Sequence, residues 1–387
     1  MLTITDYKNA LNQKYRRHIY KVEWMDKDEN VIGEYVSHLI SGDLNIQKIN
    51  GSRRDGRITF ENVDLDFTSS EKKIISLSNK FKLYTGLAIN NEEYFIPQGV
   101  FNIGNPSITS NPSIKSIQIE GYDNFNLLNG TINGELESDY VIPAGSVLTD
   151  AIKTLIAETD IPTTPIIVPS TEIAPYDIAK ESGNTYADVI LEVAGILSYV
   201  TYCNSDGRFV FKPDPEIGGF GTLFNETLEL PNITPVWYFR DNDTEILFNG
   251  QVINPEYTKV KNYIVVYGEN VNGGLVKGIA QDSVLFSPTS VSKIGKRIKV
   301  IKDNNIYSDD LANQRALYEL NKAIQINTNS DIKCVPIDFL REGDVVGMID
   351  NSSGIDYANY IINQISLSFS ENQEQTLKGW RMNNNAR

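Results

Sequence analysis

The sequence predicts a mixed α+β protein, mainly β, built as two related β-barrels with an α/β insert between them and one long helix near the C-terminus. Three observations carry this. Apolar and polar residues alternate with period two in short runs through roughly the first 120 residues, and turn formers close each run. The period becomes helical after Pro143 and returns to two after Pro231. The chain has 387 residues, enough for two or three domains at roughly 150 residues each. The divisions are 1–130, a first barrel with a short N-terminal helix; 131–230, the insert; and 231–387, a second barrel with a helix over about 309–325.

The opening helix takes Thr5 as N-cap and buries Tyr7, Ala10 and Leu11, with Lys14 following at helical spacing. From Ile19, the set Ile19, Lys21, Glu23 alternates with Tyr20, Val22, Trp24. Asp26-Lys27-Asp28-Glu29-Asn30 then turns the chain into a returning strand at 31–40. Strands follow at 44–49, 57–67, 80–87, 94–103 and 114–122, separated by Asn50-Gly51-Ser52, Asp55-Gly56, Asn90-Asn91 and Asn105-Pro106. Strands this short and this closely spaced, without a long helix, make a closed or nearly closed barrel.

In the insert, Val147, Leu148, Ala151, Ile152, Leu155 and Ile156 form one apolar helical stripe. A loop rich in proline and threonine spans 161–175. A second helix over 186–199 turns Ala187, Ile190, Leu191, Ala194 and Leu197 inward, capped by Asn184 or Thr185. Asp206-Gly207 between runs 199–203 and 208–213 marks a hairpin. Strands resume at 236–240, 245–248 and 259–268, and a polar excursion covers 269–302. Ser308, Asp309 and Asp310 open a third helix, with acids where the helix dipole favours them. Its buried face is Ala312, Ala316, Leu317, Leu320, Ala323 and Ile324. Strands at 332–337, 343–349, 360–370 and one ending near Arg381 close the chain.

Fifty acidic side chains against thirty-five basic ones leave a formal charge of −15. That excess argues against a nucleic-acid binder held by phosphate contacts. Cys203 and Cys334 stand far apart in no metal-ligand spacing, which argues against a disulfide framework and a zinc site. The N-terminus lacks the apolar core of a signal peptide, and no run approaches the roughly 18 apolar residues of a membrane span. Synthesis and folding in a cytoplasm are expected, with no membrane insertion.

Catalytic signals are sparse. The two histidines, His18 and His38, lie in or beside strands, without a partner constellation. No GxSxG, HExxH or P-loop spacing occurs. Cys203 and Cys334 read as buried, inert thiols. The run from Asp26 departs from a calcium loop at Val31 and Ser37, where a glycine and an acid are required, and reads as a charged turn. A pair of carboxylates for glycan hydrolysis stays open, because the separation that matters is spatial. Bases cluster at Lys14-Tyr15-Arg16-Arg17 and at Arg53-Arg54 with Arg57. Such runs are solvated faces or, given twenty tyrosines, interface residues. No catalytic, cofactor-binding or metal-binding residue is assigned, no cofactor is expected, and the chain is read as a non-enzyme.

Three segments together resemble the tail-tip or baseplate hub proteins of tailed bacteriophages and related contractile bacteriocins. The first is Ile117-Gln118-Ile119-Glu120-Gly121-Tyr122-Asp123, followed by Ile142-Pro143-Ala144-Gly145 and its helix. The second is the helix over 186–199 with the hairpin ending Asp206-Gly207-Arg208-Phe209-Val210-Phe211-Lys212-Pro213. The third runs Ala312-Asn313-Gln314-Arg315-Ala316-Leu317-Tyr318-Glu319-Leu320, Leu340-Arg341-Glu342-Gly343-Asp344-Val345-Val346 and Tyr360-Ile361-Ile362-Asn363-Gln364-Ile365. The resemblance spans about 19–380, and it lies in the order and spacing of the parts.

The resemblance implies tube-type barrels, a homotrimer, and a structural role at the virion tail tip. Three subunits with two barrels each would match a sixfold tail tube to a threefold spike or fibre and line the channel. It implies as partners the tail tube or distal tail protein, the tape measure protein, and a spike or fibre protein, with DNA passing through unbound. The alternatives are a distal tail adaptor, a receptor-binding tail protein and, behind those, a peptidoglycan hydrolase. Many tail-tip proteins of Gram-positive phages continue into a lytic or fibre region. Ending at Arg387, the chain is expected to be a dedicated hub or a piece of a longer protein.

Overall fold

The computed structural model describes residues 3–35, 39–61, 76, 78–110, 115–214, 234–241, 247–254, 257–270, 273–303, 306–325, 329–369 and 373–382. Helix α1 (Ile4–Leu11) opens the chain. Its N-cap is Thr3, two residues before the expected Thr5, because Asp6 completes a capping box. The Thr3 Oγ1 accepts from the Asp6 amide at 3.2 Å and the Thr3 amide donates to the Asp6 carboxylate at 2.8 Å.

Strands β1 (Arg17–Met25), β2 (Val31–Tyr35), β3 (Leu39–Gln47), β4 (Arg54–Glu61), β5 (Lys80–Ile89), β6 (Glu92–Ile103), β7 (Ser107–Ser110) and β8 (Lys115–Asp123) follow. The insert carries β9 (Tyr140–Ile142), α2 (Leu148–Ala157), β10 (Ile166–Ile167), β11 (Ile178–Lys180), α3 (Tyr186–Leu197), β12 (Tyr199–Cys203) and β13 (Phe209–Pro213). The last part holds β14 (Trp237–Arg240), β15 (Phe248–Asn254), β16 (Tyr263–Glu269), β17 (Leu275–Gln281), β18 (Ile298–Lys302), α4 (Asp309–Gln325), β19 (Asn329–Cys334), β20 (Val345–Asp350), β21 (Ile355–Phe369) and β22 (Gln375–Arg381).

Among the described residues two closed barrels do not form. One open sheet runs β15-β19-β22-β21-β3-β4-β8-β6-β5-β1-β2, with β7 on β8, and with β20 between β21 and β14. The reason lies in β21. Its 15 residues are long enough to pair with β20 and β22 and then, past a bulge between Ile362 and Gln364, to lay Gln364–Phe369 against β3. That pairing occupies the β3 edge that a separate first barrel needs for closure. The two β-rich parts therefore share one core, in which Trp24, Phe60 and Phe81 are continuous with Phe239, Ile332, Tyr360 and Leu377.

The insert has its own core. Ile152, Leu155 and Ile156 of α2 and Ile190, Val193 and Ala194 of α3 pack with Phe209 and Phe211 of β13. Thr185 caps α3 in a second capping box, with Asp188. Within the proline- and threonine-rich loop, β10 pairs in parallel with β13.

The expected polar excursion is structured. β17 and β18 flank β16 in a separate three-stranded sheet, with a single helical turn at Val291–Ile294 between them. Helix α4 lies over one face, with Ala312, Ala316, Leu320 and Ala323 against Ile264, Val266 and Val276. The fit depends on Gly278, where an added Cβ would lie 2.2 Å from the Ala312 carbonyl carbon. The helix expected at about 309–325 is therefore present, but it covers this small sheet.

Candidate functional site

The three segments that carry the resemblance meet at Arg53 and Arg54, at the start of β4. The chain enters through Gly51, at φ +113, a conformation suited to glycine. The Gly51 amide donates to the Thr201 carbonyl of β12 at 2.9 Å, which sets the hairpin against the turn. The amides of Arg53 and Arg54 then donate to the Asp123 carboxylate at 2.7 and 2.9 Å. Asp123 ends β8 and caps a single 3-10 turn, Asn124–Leu127, by accepting from the Phe125 amide.

Both guanidinium groups are almost wholly buried. Arg54 donates from Nε to the Gln98 carbonyl at 3.2 Å, from Nη1 to the Cys203 carbonyl at 2.7 Å, and from Nη2 to both Glu342 oxygens at 2.8 and 2.9 Å. Arg53 donates from Nε to the Ile49 carbonyl at 2.6 Å and lies 3.5 Å from the centre of the Tyr202 ring. Arg341 joins from the loop before β20, donating to the carbonyls of Pro97 at 2.9 Å and Asp338 at 2.8 Å.

Burial draws the Arg53 and Arg341 guanidinium groups below the usual arginine range, and Glu342 opposes the shift in each. Burial also pushes the Asp123 carboxyl up, against the amides of Arg54 and Arg53. Beside this junction, Asn124 Nδ2 donates to Glu29 at 2.8 Å and to the Gly207 carbonyl at 2.9 Å, and Lys80 pairs with Glu29 at 2.9 Å. The Arg54 donor nitrogens are all engaged by protein acceptors. What such an arrangement can do is hold the sheet, the insert hairpin and the 338–344 loop in one register.

Of the other sequence candidates, Cys203 borders the junction through its carbonyl, and no catalytic constellation forms around it among the described residues. His18, on β1, has both ring nitrogens buried without a hydrogen-bond partner. Its Nδ1 lies 3.9 Å from Asp338, whose Oδ2 accepts from the Tyr7 hydroxyl at 2.6 Å. Burial lowers the His18 pKa although Asp338 opposes it. His38 lies outside the described residues.

Cys203 and Cys334 are both fully buried, and burial pushes the Cys203 thiol well up. The Asp26 carboxylate accepts from the amides of Asp28 and Asn30 and closes the β1–β2 turn. Of the basic clusters, Arg57 pairs with Glu120 at 3.5 Å in an exposed ion pair. Arg16 donates to the Leu11 carbonyl at 2.9 Å, at the end of α1. Glu342, Asp123 and Gln98 carried no role in the sequence reading. The first two did fall within segments that carry the resemblance.

A cleft of about 730 Å³ between the first β part and the insert is lined by two carboxylates, Asp28 and Asp160, with Lys27 and Lys80. Both carboxylates are exposed, whereas the general acid of a glycosidase is tuned by burial. Among the described residues no group of three or more His, Cys, Asp and Glu side chains is placed to hold a metal ion. Among them, too, no helix is long and apolar enough to cross a membrane.

No protein-family model and no curated protein matches the chain. Solved structures do. A tail protein from Neisseria meningitidis MC58 is 14% identical, with 94% of this chain and 97% of that chain covered at a TM-score of 0.64. The prophage MuSo2 43 kDa tail protein from Shewanella oneidensis is 12% identical, with 93% and 98% covered at 0.61. The E. coli c3393 protein is described as a type VI secretion component with structural similarity to the T4 bacteriophage tail proteins gp27 and gp5. It is 9% identical, with 90% and 74% covered at 0.51. The chain thus has the fold of phage tail proteins and of type VI secretion components, the kind of protein that the three segments resemble, although without the closed barrels that the resemblance implies.

Proposed function

We propose that this chain is a structural hub of a phage-type tail, located at the tail tip or baseplate. The observation that carries the reading is likeness of fold over more than nine-tenths of this chain and of two tail proteins. A match of that extent leaves less than a tenth of this chain outside it. The chain acts as a homotrimer that joins a sixfold tail tube to a threefold spike or fibre and lines the central channel. Segments 1–130 and 231–387, which share one sheet, form the body of the ring. Tube or distal tail protein, tape measure protein, and spike or fibre are its neighbours. A net charge of −15 favours a lumen that lets DNA pass unbound. The role is mechanical: the Arg54 donors at the junction are all engaged by the chain's own acceptors, and catalysis is not part of it.

The test is the native mass of the purified chain by light scattering. Three copies of 43.4 kDa, about 130 kDa, are expected. A hexamer overturns the hub in favour of a distal tail adaptor. A monomer that clears peptidoglycan, and loses this on substitution of Asp28 or Asp160, overturns it in favour of a hydrolase.

A further inference from the structure

Charge is segregated along the chain. Between 131 and 200, eleven acids stand against two bases, Lys153 and Lys180. Between 257 and 302 the balance inverts to eight bases against two acids, Glu269 and Asp282. Asp282 is buried and accepts from the hydroxyls of Ser287 and Thr289, so it contributes nothing to the surface. The insert is therefore a strongly acidic body, and the small sheet of β16, β17 and β18 is a basic one.

That basic sheet also has a face on which, among the described residues, no other helix or strand packs broadly, although Val265 at its centre is buried. Alternation along the strands sends Ile264, Val266, Val276 and Gly278 toward α4. The opposite face carries Ile279, Val265 and Val300 in one cross-strand row. Tyr263 stands beside Ile298 in the next row, and Tyr267 stands between Lys277 and Lys302. Leu275 is 75% exposed, and Ile279, Ile298 and Val300 are 43–52% exposed. An apolar centre rimmed by lysine is the composition of a docking surface.

The β17 edge is not what is offered. The amides of Lys277 and Ile279 donate to Asp309 and Asn313 of α4, which blunts that edge against strand addition.

We infer that this outer sheet face is the subunit contact, seated on the acidic insert of a second copy of the chain. This inference rests on the oligomeric reading above. A basic surface meeting a different, acidic surface is a head-to-tail contact, and such contacts close into rings when the rotation permits. The insert loops at 135–139 and 181–185 supply the counter-surface. They lie side by side through the Glu135–Thr185 bridge, and they expose Glu135, Glu137 and Glu181.

The full chain is tested by native mass, with circular dichroism to confirm folding. I279E/V300E changes two exposed side chains and is expected to be a folded monomer. K277E/K302E is expected to dissociate as well, and to reassemble when E135K, E137K and E181K are added in the same chain. The wild-type dissociation constant is expected to rise at least about tenfold from 0.1 to 0.5 M salt, as the lysine rim is screened. A wild-type trimer that persists in folded I279E/V300E overturns the contact and leaves the hub standing. If I279E/V300E dissociates but the charge swap fails to restore assembly, the insert is not the occupant. A wild type that stays monomeric overturns both. Retention of duplex DNA, lost in K277E/K302E, would assign the face to nucleic acid instead.

Discussion

Arg54 and Glu342, 288 residues apart in the chain, form a forked ion pair with nitrogen–oxygen distances of 2.8 and 2.9 Å, and neither side chain is more than 3% exposed. The same guanidinium holds the Cys203 carbonyl of the insert hairpin at 2.7 Å. One side chain thus fixes three parts of the fold relative to one another.

Removing one partner leaves the other charge buried without compensation. Arg54→Ala and Glu342→Ala are each expected to lose about 3–5 kcal/mol in urea unfolding. Arg54→Lys recovers little, because an ammonium cannot fork across a carboxylate and reach two carbonyls. The double variant R54M/E342L is expected to be clearly more stable than either alanine variant. Additive losses in the double variant would show that the pair is not a unit.

Gly278 is the point where β17 touches α4. A Cβ there would lie 2.2 Å from the Ala312 carbonyl carbon, and backbone on both sides leaves no side chain to move. Gly278→Ala is expected to cost at least about 1–3 kcal/mol, the usual penalty of overpacking. Hydrogen exchange should localise the loosening to α4 and the small sheet. An unchanged unfolding midpoint would contradict the close packing.

His18 sets a pH dependence of definite sign. Burial lowers its pKa in the folded state below its ordinary value. As pH falls through that ordinary value, near 6.5, the unfolded chain takes up a proton that the folded chain refuses. Stability from this residue is therefore full above about pH 7 and is lost toward pH 5. His18→Leu removes the titration, so the variant should lose less stability than wild type over that interval. Parallel curves would mean that His18 gains a proton partner, Asp338 being the nearest acid at 3.9 Å.

Both thiols should be silent in the native protein. Cys203 and Cys334 are fully buried, and the Cys203 thiol is pushed up by burial. Neither should react with a disulfide reagent at pH 8 until denaturant is added, when both should react. Labelling of one thiol per chain under native conditions would reveal local opening.

Local features were legible in the sequence and distant ones were not. Helix α3 announced itself through its cap, Asn184 or Thr185, and its apolar stripe, and the β12–β13 hairpin through Asp206-Gly207. The first N-cap was misplaced because Thr3 and Thr5 are chemically alike, and only Thr3 has an acid three residues on. β17 was missed because Lys277 and Gly278 dilute its alternation. Gly278 is there for α4, whose docking is not visible in the strand itself.

The barrels were misjudged because closure depends on what covers the β3 edge, and its cover, the second half of β21, comes more than 300 residues later. The junction was half visible. The Arg53-Arg54 pair stood out as charge, but whether it was solvated or buried depended on Glu342 and Asp123, which only the fold brings near.

The most direct test of the hub reading is electron microscopy of the purified oligomer, viewed along its symmetry axis. A threefold ring of three chains around an open channel is the result expected. A compact particle without a channel, or a ring of six chains, would contradict it.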